Sequence, residues 1–213
     1  MYVSLNSRYS IEIRRTASPN PHFPDRDVQV MSRTNTKDYL GLSHIMPRGL
    51  KQSSSVVSIG FSVAESAANT FTQGSVDLNL SPLDREVFVV LACNLDPESP
   101  DMVAPLSSIV NCSLTTTSQT ATQSLANSNC ISVANERIIC DATMAVGFQT
   151  QALETPPSTL EYIAIIATND FFVQVNGTNN TVAKGVSGKL YGYRAIADAS
   201  IYAALVQSEV LSA

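Results

Sequence analysis

The 213-residue sequence has no tryptophan, two histidines and little charge: Lys, Arg, Asp and Glu make up 15% of it, against about 25% in typical globular domains. The low charge argues against a long-helix protein, whose surface would draw on Glu, Lys and Ala. Long apolar runs are missing too. The longest, VFVVLAC (87–93) and the stretch around YIAIIA (162–167), fall well short of the roughly 18 residues a membrane-spanning helix needs. The N-terminal MYVSLNSRYSIEIRR lacks a basic start followed by an apolar stretch, so no signal peptide is expected.

Catalytic signatures are equally scarce. The sequence contains no G-x-S-x-G, no G-x-x-x-x-G-K-[ST], no G-x-G-x-x-G and no H-E-x-x-H. His22 lies among prolines and His44 precedes Ile-Met-Pro, both upstream of the segments that read as a rigid body. A Ser–His–Asp or Cys–His device needs its groups within hydrogen-bond reach, so no enzyme is expected. An enzyme would need a pocket gathering two of Glu86, Asp96, Asp101 and Glu161. The four cysteines, Cys93, Cys112, Cys130 and Cys140, form no C-x-x-C pair, which argues against a zinc site. Their even number permits two disulfides in three connectivities, but without an export signal reduced thiols are expected.

What is present is divided along the chain. Residues 1–51 hold eight basic side chains against four acidic ones, and the remaining residues hold five against fourteen. The first segment is therefore +4 and the rest −9. ASPNPHFPDRD places Pro19, Pro21 and Pro24 within six positions; each fixes φ and removes an amide donor, which excludes a helix or a central strand. Residues 1–54 thus read as an extended, Pro-rich, net-basic N-terminal arm. It still carries Ile11, Ile13, Phe23, Val28 and Val30, more apolar residues than a free tail would have, so it is expected to dock on something. Arg8, Arg14, Arg15, Arg26 and Arg33, interleaved with Tyr2, Tyr9 and Phe23, are the candidates for that contact. They would meet either nucleic-acid phosphate or the acidic body of the same or a neighbouring subunit, and the second is favoured by the charge match.

Residues 55–213 read as a β-sandwich body. VDLNL (76–80) alternates apolar and polar residues strictly, the pattern of a half-buried strand. VFVVLACNL (87–95) is an almost continuous Val-rich run, the pattern of a strand buried on both faces. Further strands are expected at 56–64 (with Gly60 a bulge or a crowded point), near 107–114, at 160–168, 171–177 and 188–197. A hairpin is expected over 131–150 with its corner at Ala-Asn-Glu (134–136), and a long polar surface loop over 115–129. DASIYAALVQSEVL (198–211) places Ile201, Leu205 and Glu209 at helical spacing behind Asp198, which predicts a short C-terminal helix. About eight short strands with Gly, Pro and Asn punctuation give an all-β, antiparallel β-sandwich, with a jelly roll as one form of it, rather than alternating βα units.

Asp96, Glu98 and Asp101 crowd one loop and offer oxygen ligands of the kind Ca²⁺ takes; they lack the alternation and glycine of a calcium loop, and otherwise no cofactor is expected. Asn111, Asn176 and Asn179 begin N-x-S/T triplets, which matter only on a eukaryotic secretory route. The arrangement of basic, proline-broken arm, acidic low-charge β body and short terminal element resembles the coat (capsid) proteins of small icosahedral viruses. The resemblance is one of organisation across the whole chain and not of a motif. It implies a virion structural protein that self-assembles through sandwich contacts and arm exchange, with copies of itself and genomic nucleic acid as partners. The competing expectation is an extracellular or cell-surface binding module, adhesin- or pilin-like, with bridged cysteines and recognition carried by the polar loops.

Overall fold

A computed structural model describes residues 47–150, 152–154 and 161–211. The eleven strands are β1 (Leu50–Gln52), β2 (Val57–Ala64), β3 (Thr72–Asp77), β4 (Glu86–Pro97), β5 (Ser108–Thr115), β6 (Cys130–Cys140), β7 (Ala145–Thr150), β8 (Ala152–Glu154), β9 (Ala164–Ile166), β10 (Asp170–Thr178) and β11 (Gly185–Ala197). A single helix, α1 (Ala199–Leu211), follows among the described residues. All the strand pairings are antiparallel. In the first sheet β1 and β2 lie along one side of β11, β4 lies along the other, and β8 and β9 pair with the far side of β4. The second sheet runs β3-β10-β5-β6-β7.

The Val-Phe-Val-Val run at 87–90 determines how the sheets are covered. Side chains of an extended chain alternate between faces, so four consecutive apolar residues stay dry only if both faces are covered. Phe88, Val90, Cys93 and Leu95 point between the sheets and pack with Val110, Cys112, Leu114, Phe171, Val173, Val175 and Leu190. Phe61 meets Phe171 edge-on at a centroid distance of 5.6 Å. Val87 and Val89 point the other way, with Tyr193 and Ala195, onto Ile201, Tyr202, Leu205 and Val206 of α1. The helix is thus the outer cover of the first sheet. Its first turn starts where Asp198 O accepts the Tyr202 N–H, the place of an N-cap.

Moving from Val90 to Cys93 on one face needs an odd step, and a bulge supplies it. Val90 is opposite Gly192 and Ala92 is opposite Tyr191, so Leu91 has no partner across the ladder; one unpaired residue resets which side chains face inward. The bulge is therefore at Leu91. Gly60, expected to mark a bulge or a crowded point, does neither: it sits in unbroken register opposite Lys189, with no atom within 4 Å of where a Cβ would lie.

VDLNL keeps its alternation beyond the end of its strand. Val76 packs against the inter-sheet core and Leu78 and Leu80 are in it, but the ladder stops at Asp77 because Asn79 turns to φ 51°. Asn169 replaces the ladder: its carbonyl accepts the Leu78 N–H at 2.7 Å and its side-chain Oδ1 accepts the Leu80 N–H at 2.7 Å. Other expectations are corrected. The hairpin corner is at 141–144, where Asp141 Oδ1 accepts the Thr143 and Met144 N–H groups at 2.7 Å each; Ala134–Glu136 lie mid-strand. The strand expected over 160–168 is limited to Ala164–Ile166. Leu50–Gln52, at the end of the segment read as an arm, pair with Ala195–Ala197.

Gly192 faces inward beneath Phe88. A Cβ there would lie 2.5 Å from Phe88 Cε1 and 2.3 Å from Val89 O. Gly192→Ala should lower the stability read from urea midpoints by about 1–3 kcal/mol; an unchanged midpoint would contradict this packing.

Candidate functional site

Arg8, Arg14, Arg15, Arg26 and Arg33 lie outside the described residues. The three loop carboxylates are used separately. Asp96 is exposed near the end of β4. Glu98 Oε2 accepts the Gly185 N–H at 3.0 Å. Asp101 holds Lys184 Nζ at 2.6 Å and accepts from the Thr181 N–H at 2.8 Å and the Val182 N–H at 3.3 Å. Among the described residues no group of three or more His, Cys, Asp or Glu side chains is placed to hold a metal. Glu86, at the opposite end of β4 from Asp96, is about 33 Å away along an extended strand. Its carboxylate accepts the Ser81 N–H at 3.1 Å and lies 3.8 Å from Arg194.

Asp101 belongs to a brace that the sequence does not announce. Glu65 is buried, and its carboxylate accepts the backbone N–H groups of Gly177, Lys184 and Asn69. The Asn69 side chain binds the Asn180 backbone twice, its Nδ2 donating to Asn180 O at 2.8 Å and its Oδ1 accepting the Asn180 N–H at 2.7 Å. Asn180 also accepts the Asp101 N–H at 3.0 Å. Three loops, after β2, after β4 and after β10, are thereby fixed at one end of the sandwich. The Lys184 ammonium and the Thr181 donors hold the Asp101 carboxyl well below the usual carboxylate range.

That fixed end is apolar on its outside. Met102 and Met144 are each 69% exposed, and Leu106, Ile139, Val146, Phe148 and Val182 are also exposed. Backbone and side-chain contacts tie their segments together: Cys140 N–H donates to Ser107 Oγ at 3.2 Å and Asn179 Nδ2 to Ser107 O at 2.8 Å. The rim continues along β7, which among the described residues pairs with β6 alone and is an edge of the second sheet.

The polar loop 115–129 is anchored by buried polar side chains. Gln174, fully buried, accepts from Ser113 Oγ at 2.7 Å and donates to Gln73 Oε1 at 3.0 Å and Thr115 Oγ1 at 2.6 Å. Ser113 Oγ and Gln73 Oε1 in turn accept the loop's Gln123 and Gln119 N–H groups. At the helix, buried Glu209 accepts the Ala167 and Thr168 N–H groups at 3.0 Å each; burial pushes its carboxyl up against those two donors. No disulfide joins the four cysteines, and burial, with Glu65 nearby, pushes Cys112 up to about 12. Of the triplet asparagines, Asn111 and Asn176 are half-buried mid-strand and Asn179 is exposed. No described helix is long and apolar enough to cross a membrane.

No family model matches the sequence, and no curated protein matches it. In three dimensions the chain overlaps a structure of Desmodium yellow mottle tymovirus with a TM-score of 0.29 and 14% identity, over 73% of this chain and 97% of that one. It overlaps a structure of turnip yellow mosaic virus with a TM-score of 0.24 and 12% identity, over 70% of this chain and 99% of that one. Scores and identities this low do not establish a shared family.

Because its folded-state value is lowered, the Asp101 carboxylate contributes stability above about pH 4, its ordinary range, and that contribution is lost as pH falls further. Glu209 has the opposite sign: its raised value makes the fold lose stability as pH rises through it. Asp101→Asn should therefore be less stable than the parent at pH 7, with the gap in melting temperature narrowing below pH 4. A gap constant down to the lowest pH at which both fold would contradict the ion pair's role.

Proposed function

We propose that the chain is a structural protein that assembles with copies of itself into a virus particle and has no catalytic role. The observation that carries this reading is the set of exposed apolar side chains at one end of the sandwich: Met102, Leu106 and Val182 beside the Asp101–Lys184 brace, and Ile139, Met144 and Val146 on the β6–β7 hairpin. Clustered exposed apolar side chains mark interaction surfaces. The brace leaves the patch little freedom to fold away, and association buries it.

The connectivity supports reading the sandwich as a jelly roll. From β2 to β5 the chain alternates between sheets, and it alternates again from β9 to β11, so β11-β4, β11-β2, β3-β10 and β10-β5 pair strands distant in sequence, beside the β5-β6-β7 meander. Jelly rolls recur in viral capsid domains; that parallel is one of architecture and not of chemistry. The division between a net +4 segment (1–51) and a −9 remainder supports docking of the basic segment on a neighbouring copy, with genomic nucleic acid the other partner its arginines suit. A stable contact needs roughly 1,600 Å² in all, and closed symmetry makes a shell. The place of action in this reading is the virion.

Sedimentation over a range of concentrations at physiological ionic strength tests it. The full chain should form species of many copies. Met144→Asp with Val146→Asp should weaken association at least tenfold without lowering the melting temperature, since both side chains face solvent. Removing residues 1–46, which spares β1, should weaken it as well. A parent protein that stays monomeric at every concentration would overturn the proposal, and two disulfides in that monomer would favour the binding-module reading.

A further inference from the structure

The outer face of the second sheet carries a row of three asparagines. Val110, Cys112, Ala134 and Val175 point into the core, so their neighbours Asn111, Asn135 and Asn176 point outward. Asn176 is directly opposite Asn111, and Asn111 is directly opposite Asn135. The three amides therefore stand abreast on β10, β5 and β6, spanning about 10 Å at the ordinary strand spacing. All three are half-buried. No hydrogen bond among the described residues engages their side chains.

Two of the three line a groove, and Asn176 stands beside it. Asn111 and Asn135 line a cleft of about 330 Å³ together with Val133, Gln123 and Leu125. Its loop wall is held in place by the Gln123 N–H bond to Ser113 Oγ at 3.0 Å. On the other side, Phe148 is opposite Arg137, two residues along β6 from Asn135 and on the same face. Its ring is 55% exposed.

We infer that this groove is a binding site for a neutral carbohydrate. An amide side chain offers two donors and an acceptor, and sugar hydroxyls both give and take hydrogen bonds, so an unpartnered amide row meets successive hydroxyls without desolvating a charge. The exposed ring supplies the flat apolar surface that the C–H face of a pyranose covers. Charge selects against a polyanion: the remainder of the chain after residue 51 is −9. Arg137 borders the row, while Asp77 and Asp170, paired with each other, stand at the far end of the same sheet. The site does not depend on assembly, and its strands carry their own packing.

Saturation-transfer NMR on the full chain, with galactose, mannose, N-acetylglucosamine and lactose at millimolar concentration and a dT oligonucleotide alongside, tests the inference. At least one sugar should receive saturation at its ring C–H protons. Asn111→Ala with Asn135→Ala should weaken that binding about tenfold, the scale of one lost polar anchor. Phe148→Ala should weaken it too, and because its ring is exposed this variant keeps the test valid if the double variant fails to fold. Absence of transfer to every sugar, transfer undiminished in a folded variant, or binding of the oligonucleotide in place of sugar would overturn the site. So would concentration-dependent protection of residues 110–112 and 133–136 without sugar, which would make the groove itself an interface between copies; sedimentation reads assembly separately.

Discussion

Val87, Phe88, Val89 and Val90 stay out of water only if something covers each face of the sheet that contains them. The second sheet covers one face and α1 the other. Every buried methylene is worth about 0.8 kcal/mol, so four consecutive large apolar side chains are a strong reason for both covers to stay in place. The bulge at Leu91 keeps the far half of β4 in phase with the inter-sheet core, and Gly192 leaves room for the Phe88 ring. Glu209 ties the end of the helix back to the segment before β10, so the outer cover is held by polar as well as apolar contacts.

With the interior settled that way, the loops are organised by a different interaction. Buried Glu65 and Gln174 each gather several donors or acceptors from separate segments, and a buried polar group left unsatisfied costs about 1–3 kcal/mol. Removing either would therefore release a loop rather than trim one contact. Fixed loops are what give the apolar rim and the asparagine groove a defined shape. The rim suits a partner that brings its own apolar surface, whereas the groove suits one that brings hydroxyls, and Phe148 on β7 borders both.

The strands legible in the sequence were those whose pattern comes from their own burial: the alternation at 76–80, the double-faced run at 87–95, Phe171–Gly177 and the long strand before the helix. The helix itself was legible from its spacing. The hairpin corner was misplaced because Ala-Asn-Glu looks like a turn, while the true corner is made by Asp141 reaching two backbone amides, a geometry that composition does not reveal. Asp101 stood out as an acidic loop residue, but its partner Lys184 lies 83 residues away, beyond any local pattern. Asn111 and Asn176 were visible only as scattered triplets; what aligns them with Asn135 is the register of β5 with β6 and with the distant β10. The arginines of the first 46 residues lie outside the described structure, and their role rests on charge alone.

Hydrogen exchange of dilute and concentrated protein bears most directly on whether this rigid body presents a surface made for its own copies. On concentration, amides of residues 102–106 and 139–148 should become protected while those of β4 and β11, already shielded on both faces, remain unchanged. Protection that is absent from those segments in a confirmed assembly, or that appears evenly over the whole chain, would contradict the account.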